Sequence, residues 1–342
     1  MIDPHVHLRD WNQNNKETVR HGLKVAYRAG LDAIFEMPNT DPALTSRTNL
    51  IKRISLGDYA LKGEGTKIFH GIYAGLTSDE RQIKEVVRAY KELFPRVVGL
   101  KMFAGQSTGN MGIIELKDQA LIYKTLSQLD YKGVLAVHCE KESLLEKNLW
   151  NPKKPETHAD ARPEIAEYES IKDQIKLAKE YDFRGKLHIC HISTPSAVEL
   201  VNKERKQMKI SCGVTPHHCV LNIKYLHDEK GILRKMNPPL RDISSQTQLL
   251  KYLLNGKIDF IETDHAPHTL KDKFEKHSSG IPGFPYYPYF VETIRKKISE
   301  EQLRRLTHEN IVNLFGIDIP HTQRKPDFNL ASEYEFDPYK RE

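Results

Sequence analysis

The chain has 342 residues, enough for one large domain or two ordinary ones with a sizeable core. It contains no run of about eighteen apolar residues and no basic-then-apolar leader, so neither a membrane span nor a secretory signal is indicated and a cytoplasmic location is expected. The formal charge of +6 suits an anionic small substrate, but basic and acidic residues are interspersed without a patch or interleaved aromatics, which argues against nucleic acid.

Short β-rich segments alternate with helical ones along the chain, the pattern of repeated βα units around a parallel sheet. Strands are predicted at 2–8, 33–37, 67–71, 98–103, 134–138, 186–191, 209–215 and 260–263. Helices are predicted at about 16–29, 46–56, 79–94, 117–129, 162–181, 195–206 and 244–255, followed by 287–298 and 300–315. Eight such units predict a (β/α)8 TIM barrel, an α/β fold whose active site lies where the strands end. An open doubly wound sheet is the competing topology. It is disfavoured because no G-x-G-x-x-G follows the first strand and the chemically interesting residues come from strands spread around the whole series. One barrel domain is expected over 1–315, with a charged, Pro-containing tail over 316–342 packed on it.

The first strand carries His5 and His7, which strand alternation puts on one face about 7 Å apart, where two imidazoles can share a metal. The second ends at Pro38, which stops the ladder and leaves Asn39 at the barrel mouth. Lys101 closes the otherwise apolar fourth strand, His138 the fifth and His191 the sixth; the eighth ends in Asp264, with His268 beyond. Each taken alone has an ordinary structural explanation. Four strand-end imidazoles with a carboxylate make a metal site the better reading. A lysine ammonium would repel divalent cations, whereas a lysine carboxylated by carbon dioxide is an anion able to bridge two metals roughly 3.5–4 Å apart. Cys139, Cys190, Cys212 and Cys219 lack paired spacing and read as buried free thiols.

These segments, together with Met37-Pro-Asn-Thr40, Thr215-Pro-His-His218, Asn237-Pro-Pro-Leu-Arg241 and Thr263-Asp-His-Ala-Pro-His268, resemble the amidohydrolase superfamily and within it the dihydroorotases. Those are zinc enzymes that interconvert N-carbamoyl-L-aspartate and L-dihydroorotate in pyrimidine biosynthesis. Residue by residue, the resemblance implies that His5, His7 and Asp264 bind one zinc and that His138 and His191 bind another. Carboxylated Lys101 would bridge the two, with Asp264 as the catalytic proton carrier. It implies substrate contacts from Arg9, Asn39, Asn237, His268 and the backbone at Pro282-Gly283, and from Thr108 in a glycine-rich loop. His188 matches no ligand of the family. The implied barrel is of the metal-dependent hydrolase type without a complete N-terminal β-sandwich, since Met1 lies four residues before His5. A homodimer is expected, and association with aspartate transcarbamoylase is left open. The alternatives are another cyclic amidohydrolase, such as a hydantoinase, dihydropyrimidinase or allantoinase, and an inactive scaffold for aspartate transcarbamoylase. Arg9 and Asn39 argue against the first, because neutral rings need no guanidinium clamp, and the full ligand set argues against the second.

Overall fold

A computed structural model describes residues 1–62, 65–107, 110–322 and 324–340. The strands are β1 (Ile2–Val6), β2 (Ala33–Glu36), β3 (Phe69–Gly75), β4 (Val97–Ala104), β5 (Val134–Cys139), β6 (Lys186–Ile189), β7 (Ile210–Val214) and β8 (Phe260–Ile261). All pair in parallel and in chain order. Past the end of β8 the sheet returns to β1: Val6 bridges His265, His7 N–H donates to His265 O at 2.7 Å, and Thr263 donates from N and Oγ1 to Asp3. The sheet thus closes into a (β/α)8 barrel. Among the described residues no helix is long and apolar enough to cross a membrane.

Strand alternation decides which side chains reach the interior. On β4, Leu100, Met102 and Ala104 pack outward into the core shared with the helices, whereas Lys101 turns inward with its ammonium 4.9 Å from the Phe103 ring centre. On β5, Leu135 and Val137 face out, while Val134 and Ala136 fill the barrel below His138. The covering helices supply the outer half of that core. α1 (Val19–Arg28) starts at Thr18, whose hydroxyl accepts His21 N–H, and buries Val19, Leu23 and Ala26 at helical spacing. α2 (Arg47–Leu61) is capped in the same way by Ser46.

The bounds of several predicted elements differ in the structure, two of them for a visible physical reason. The third strand runs to Gly75 rather than stopping at Gly71. Gly71 sits inside the strand because a Cβ there would come within 2.4 Å of Val98 Cγ1 and 3.0 Å of Phe35 Cδ1, so the glycine marks close approach, not a turn. The helix predicted over 300–315 is three pieces, Glu300–Arg304, a π turn at Arg305–Glu309, and Asn310–Phe315. Thr307 Oγ1 donates back to Leu303 O at 2.8 Å, a bond that bends helices. The last piece plugs the end of the barrel opposite the strand C-termini, with Phe315 edge-on to Phe35 and Tyr73 at 4.9 and 6.1 Å.

From that closed end the tail runs back to the mouth. Arg324 and Thr322 bond Asp32, Asp327 pairs with Arg28 at 2.6 Å, and Tyr334 donates to Glu17 at 2.8 Å. Arg234 then donates to the carbonyls of Pro338 (3.0 Å) and Lys340 (3.1 Å).

Candidate metal centre

At the C-terminal mouth, β1 supplies His5 and, just beyond its end, His7. Asp264 Oδ1, from the turn after β8, lies 3.4 Å from His5 Nε2 and 3.0 Å from His7 Nε2. Opposite them, His138 Nδ1 and His191 Nε2 face each other at 3.2 Å. The His5 and His191 rings are 4.9 Å apart, which joins the two pairs into one cluster. Beneath it Lys101, fully buried, donates to Cys190 Sγ at 3.1 Å. Both His191 (φ 36) and Asp264 (φ 49) hold left-handed backbone, a conformation that costs a non-glycine residue roughly 1–3 kcal/mol and collects at functional sites.

Burial holds the imidazoles neutral. His5 and His191 are pushed well below the usual histidine range by desolvation, reinforced by neighbouring cations and imidazoles. Desolvation also lowers His7 and His138, against opposing pulls from Asp264 and Glu140. Neutral imidazole is the form with a lone pair to give.

This donor set fits a divalent cation. One proton at most can serve the facing nitrogens of His138 and His191, and the ligand atoms of His5, His7 and Asp264 lie within 4.8 Å of one another. The second nitrogens of His7 and His138 are oriented from outside. Asn39 Oδ1 accepts from His7 Nδ1 at 2.6 Å, leaving Nε2 for coordination, and Glu140 Oε2 lies 2.9 Å from His138 Nε2. Lys101 is the exception, because among the described residues no carboxylate lies within ion-pair distance of it, and a buried unpaired ammonium costs several kcal/mol.

Around the cluster the cavity is lined by Arg9, Phe103, Asn237, Ser279 and Gly280, among others. It encloses only about 20 Å³, while a hollow of about 580 Å³ adjoins it across Asn39. Arg9 is buried; its Nε donates to Pro267 O (3.2 Å) and its Nη2 to His268 Nε2 (3.1 Å), with no carboxylate in ion-pair distance among the described residues. Burial lowers its pKa to about 10, still protonated at neutral pH. Asn237 follows suit as a lining residue, its Oδ1 accepting from His158 Nε2 (2.8 Å) and Ser279 Oγ (3.1 Å). Pro282 and Gly283 lie behind the lining, where Gly283 N–H donates to His265 Nδ1 at 3.0 Å. Thr108 falls outside the described residues.

Comparison with known proteins decides the family. No protein-family model matches the chain. It is 31% identical to the dihydroorotase of Methanosphaera stadtmanae over 329 residues, covering 93% of this chain and 70% of the relative. It is 32% identical to that of Thermococcus kodakarensis over 341 residues, covering 98% and 71%. The chain belongs to the dihydroorotase family. Among solved structures, an L-hydantoinase from Arthrobacter aurescens superposes with a TM-score of 0.81 at 22% identity, covering 92% of this chain and 70% of that one. A dihydroorotase from Campylobacter jejuni gives 0.70 at 20% identity, covering 93% and 83%. These likenesses concern the fold.

Within this dihydroorotase-family site, sequence reasoning missed the groups that orient the imidazoles. Glu262 Oε2 lies 3.5 Å from His5 Nδ1 and 3.3 Å from His188 Nε2, and its other oxygen accepts His191 N–H. Glu140 joins His138 to Arg162, its own pKa held far down by Arg162 and His138 against burial. The available signal was a glutamate within two residues of a candidate ligand, as in Glu262-Thr-Asp264 and His138-Cys-Glu140. His188 stacks on Phe260 and bonds Ser211 at 3.0 Å, a structural placement.

Proposed function

We propose that the chain is a zinc-dependent dihydroorotase that interconverts N-carbamoyl-L-aspartate and L-dihydroorotate in de novo pyrimidine biosynthesis. The observation that carries this reading is the convergence of two imidazole pairs, Asp264 and Lys101 in one cavity, beside an arginine with no carboxylate partner among the described residues. In this reading His5, His7 and Asp264 would hold one zinc and His138 and His191 a second, with Lys101, as its carbamate, the ligand shared by both. Carboxylation would also remove the unpaired buried ammonium. Bound zinc would supply Lewis acidity toward the amide carbonyl and a lowered pKa for water.

The protein's own groups carry the proton and the substrate. Asp264, held by its left-handed backbone against both imidazoles, accepts the proton that the attacking water gives up. It returns that proton to the ring nitrogen as the C–N bond breaks, so one carboxylate serves as base and acid. In ring closure the same steps run backwards. Arg9 Nη1 and the remaining Nη2 hydrogen form an edge suited to a bidentate carboxylate. Asn237 and His268 fix the rest of the ring, and Asn39 joins Arg9 at the carboxylate. Asn39 does so while also positioning His7. The barrel over 1–315 and the tail over 316–342 act as one unit, the tail bracing Arg234 beside the loop that carries Asn237.

The test is elemental analysis of undepleted protein together with turnover of dihydroorotate, dihydrouracil, hydantoin and allantoin. About two zinc ions per chain and turnover confined to dihydroorotate are expected. Less than about half an equivalent of metal with activity intact, or preference for a neutral ring, overturns the reading.

A further inference from the structure

The turn that aims Arg9 has an unusual backbone. Arg9, Asp10 and Trp11 are three successive non-glycine residues with φ of 57, 63 and 49°. Such a run persists only where surrounding contacts over-determine it. Asp10 and Trp11 are held locally, since the Asp10 carboxylate accepts Trp11 N–H at 2.6 Å and Val19 N–H at 2.7 Å, and Asp10 N–H donates to Glu17 O at 2.9 Å. The Arg9 carbonyl is held from elsewhere. It accepts Arg53 Nη2 at 2.8 Å, from a side chain on α2 that is itself fully buried.

Arg53 makes three contacts at once. Its Nε donates to Glu36 Oε2 at 3.0 Å, at the end of β2, and its Nη2 also donates to Glu36 Oε1. Its guanidinium carbon sits 4.7 Å from the centre of the Trp11 ring. Glu36 is fixed in turn by His70 Nε2 at 2.9 Å. Arg53 thereby ties β2, the Arg9 carbonyl and the Trp11 ring into one rigid corner. A lysine has a single donor head and no planar face, so it cannot make all three contacts.

We propose that Arg53 is a positioning residue for recognition of the substrate carboxylate, acting through the backbone of Arg9. The inference rests on the reading of Arg9 as the carboxylate clamp. Without Arg53 the turn relaxes, and the Arg9 side chain, tethered at Pro267 O and His268 Nε2, loses its aim into the cavity. A purely structural ion pair with Glu36 would instead lower stability and leave ligand discrimination alone.

The experiment uses the full chain and orotate, a planar ring that keeps the carboxylate, as the probe. Its affinity is measured by calorimetry in wild type, Arg53→Lys, Arg9→Ala and the double variant, with metal content and melting temperature recorded for each. Arg53→Lys should weaken orotate by about ten- to a hundredfold with metal retained, and should cost nothing further in the Arg9→Ala background. Should Arg53→Lys not fold, Trp11→Leu, at a partly exposed position, removes the stacking face and takes its place in the same cycle. An equal loss in both backgrounds, or no loss while Arg9→Ala is impaired, overturns the inference and leaves the clamp standing. Unchanged affinity in Arg9→Ala overturns the clamp itself, and the inference falls with it.

Discussion

Replacing Arg9 is expected to separate a carboxylate-bearing substrate from a neutral one. The guanidinium is buried, charged at neutral pH, and commits only Nε and one Nη2 hydrogen to the protein, so an Nη1/Nη2 edge is left for a ligand. Removing it from a desolvated bidentate pair leaves the ligand carboxylate without its partner, a loss of about 2–5 kcal/mol. At about 1.4 kcal/mol per factor of ten this is about thirty- to several-thousand-fold in kcat/KM. The lost bonds to Pro267 O and His268 are worth only about 1 kcal/mol each, and that part is shared by every substrate. Arg9→Lys should recover only part of the selective loss, because an ammonium cannot reproduce the fork. The assay is kcat/KM for dihydroorotate and dihydrouracil in wild type, Arg9→Lys and Arg9→Ala. Equal proportional losses on the two substrates would refute the clamp and reopen the hydantoinase alternative.

Lys101→Ala is expected to lose metal and activity together, with short carboxylic acids in the buffer restoring part of both by occupying the vacated space; an active, metal-replete alanine variant would show that no bridge is needed. Asp264→Asn should keep its circular dichroism spectrum and lose most turnover in both directions, because an amide cannot shuttle a proton; near-normal rates would move that role to His268. Glu36 is held at about 2, because Arg53 and His70 outweigh the burial that would raise it. A carboxylate depressed in the folded state stabilises above its unfolded pKa of about 4.5 and loses that contribution as pH falls toward 2. Urea unfolding should therefore show Glu36→Gln about 3 kcal/mol less stable than wild type at pH 7, with the gap closing below pH 4.5; a gap independent of pH would count against the ion pair.

Much of this molecule could be read from one dimension. His5 and His7 stood out because alternation puts them on one face of the first strand, and Lys101, His138, His191 and Asp264 because each is a polar group closing an apolar strand, whose ends the barrel rule brings together. The alternation of strands and helices carried the fold for the same reason, since period and burial are local properties of the chain. What local pattern cannot express is who meets whom across the barrel. Gly71 reads as a strand terminator until Val98 and Phe35 are seen to require its missing Cβ. Glu262 beside His5 and His188, Cys190 against Lys101, and Arg53 on the Arg9 carbonyl join residues far apart in the chain. Each is an ordinary strand-end or helix residue by sequence. Tertiary structure alone decides their roles, because a buried charge or a left-handed backbone persists only where partners from several elements converge to hold it.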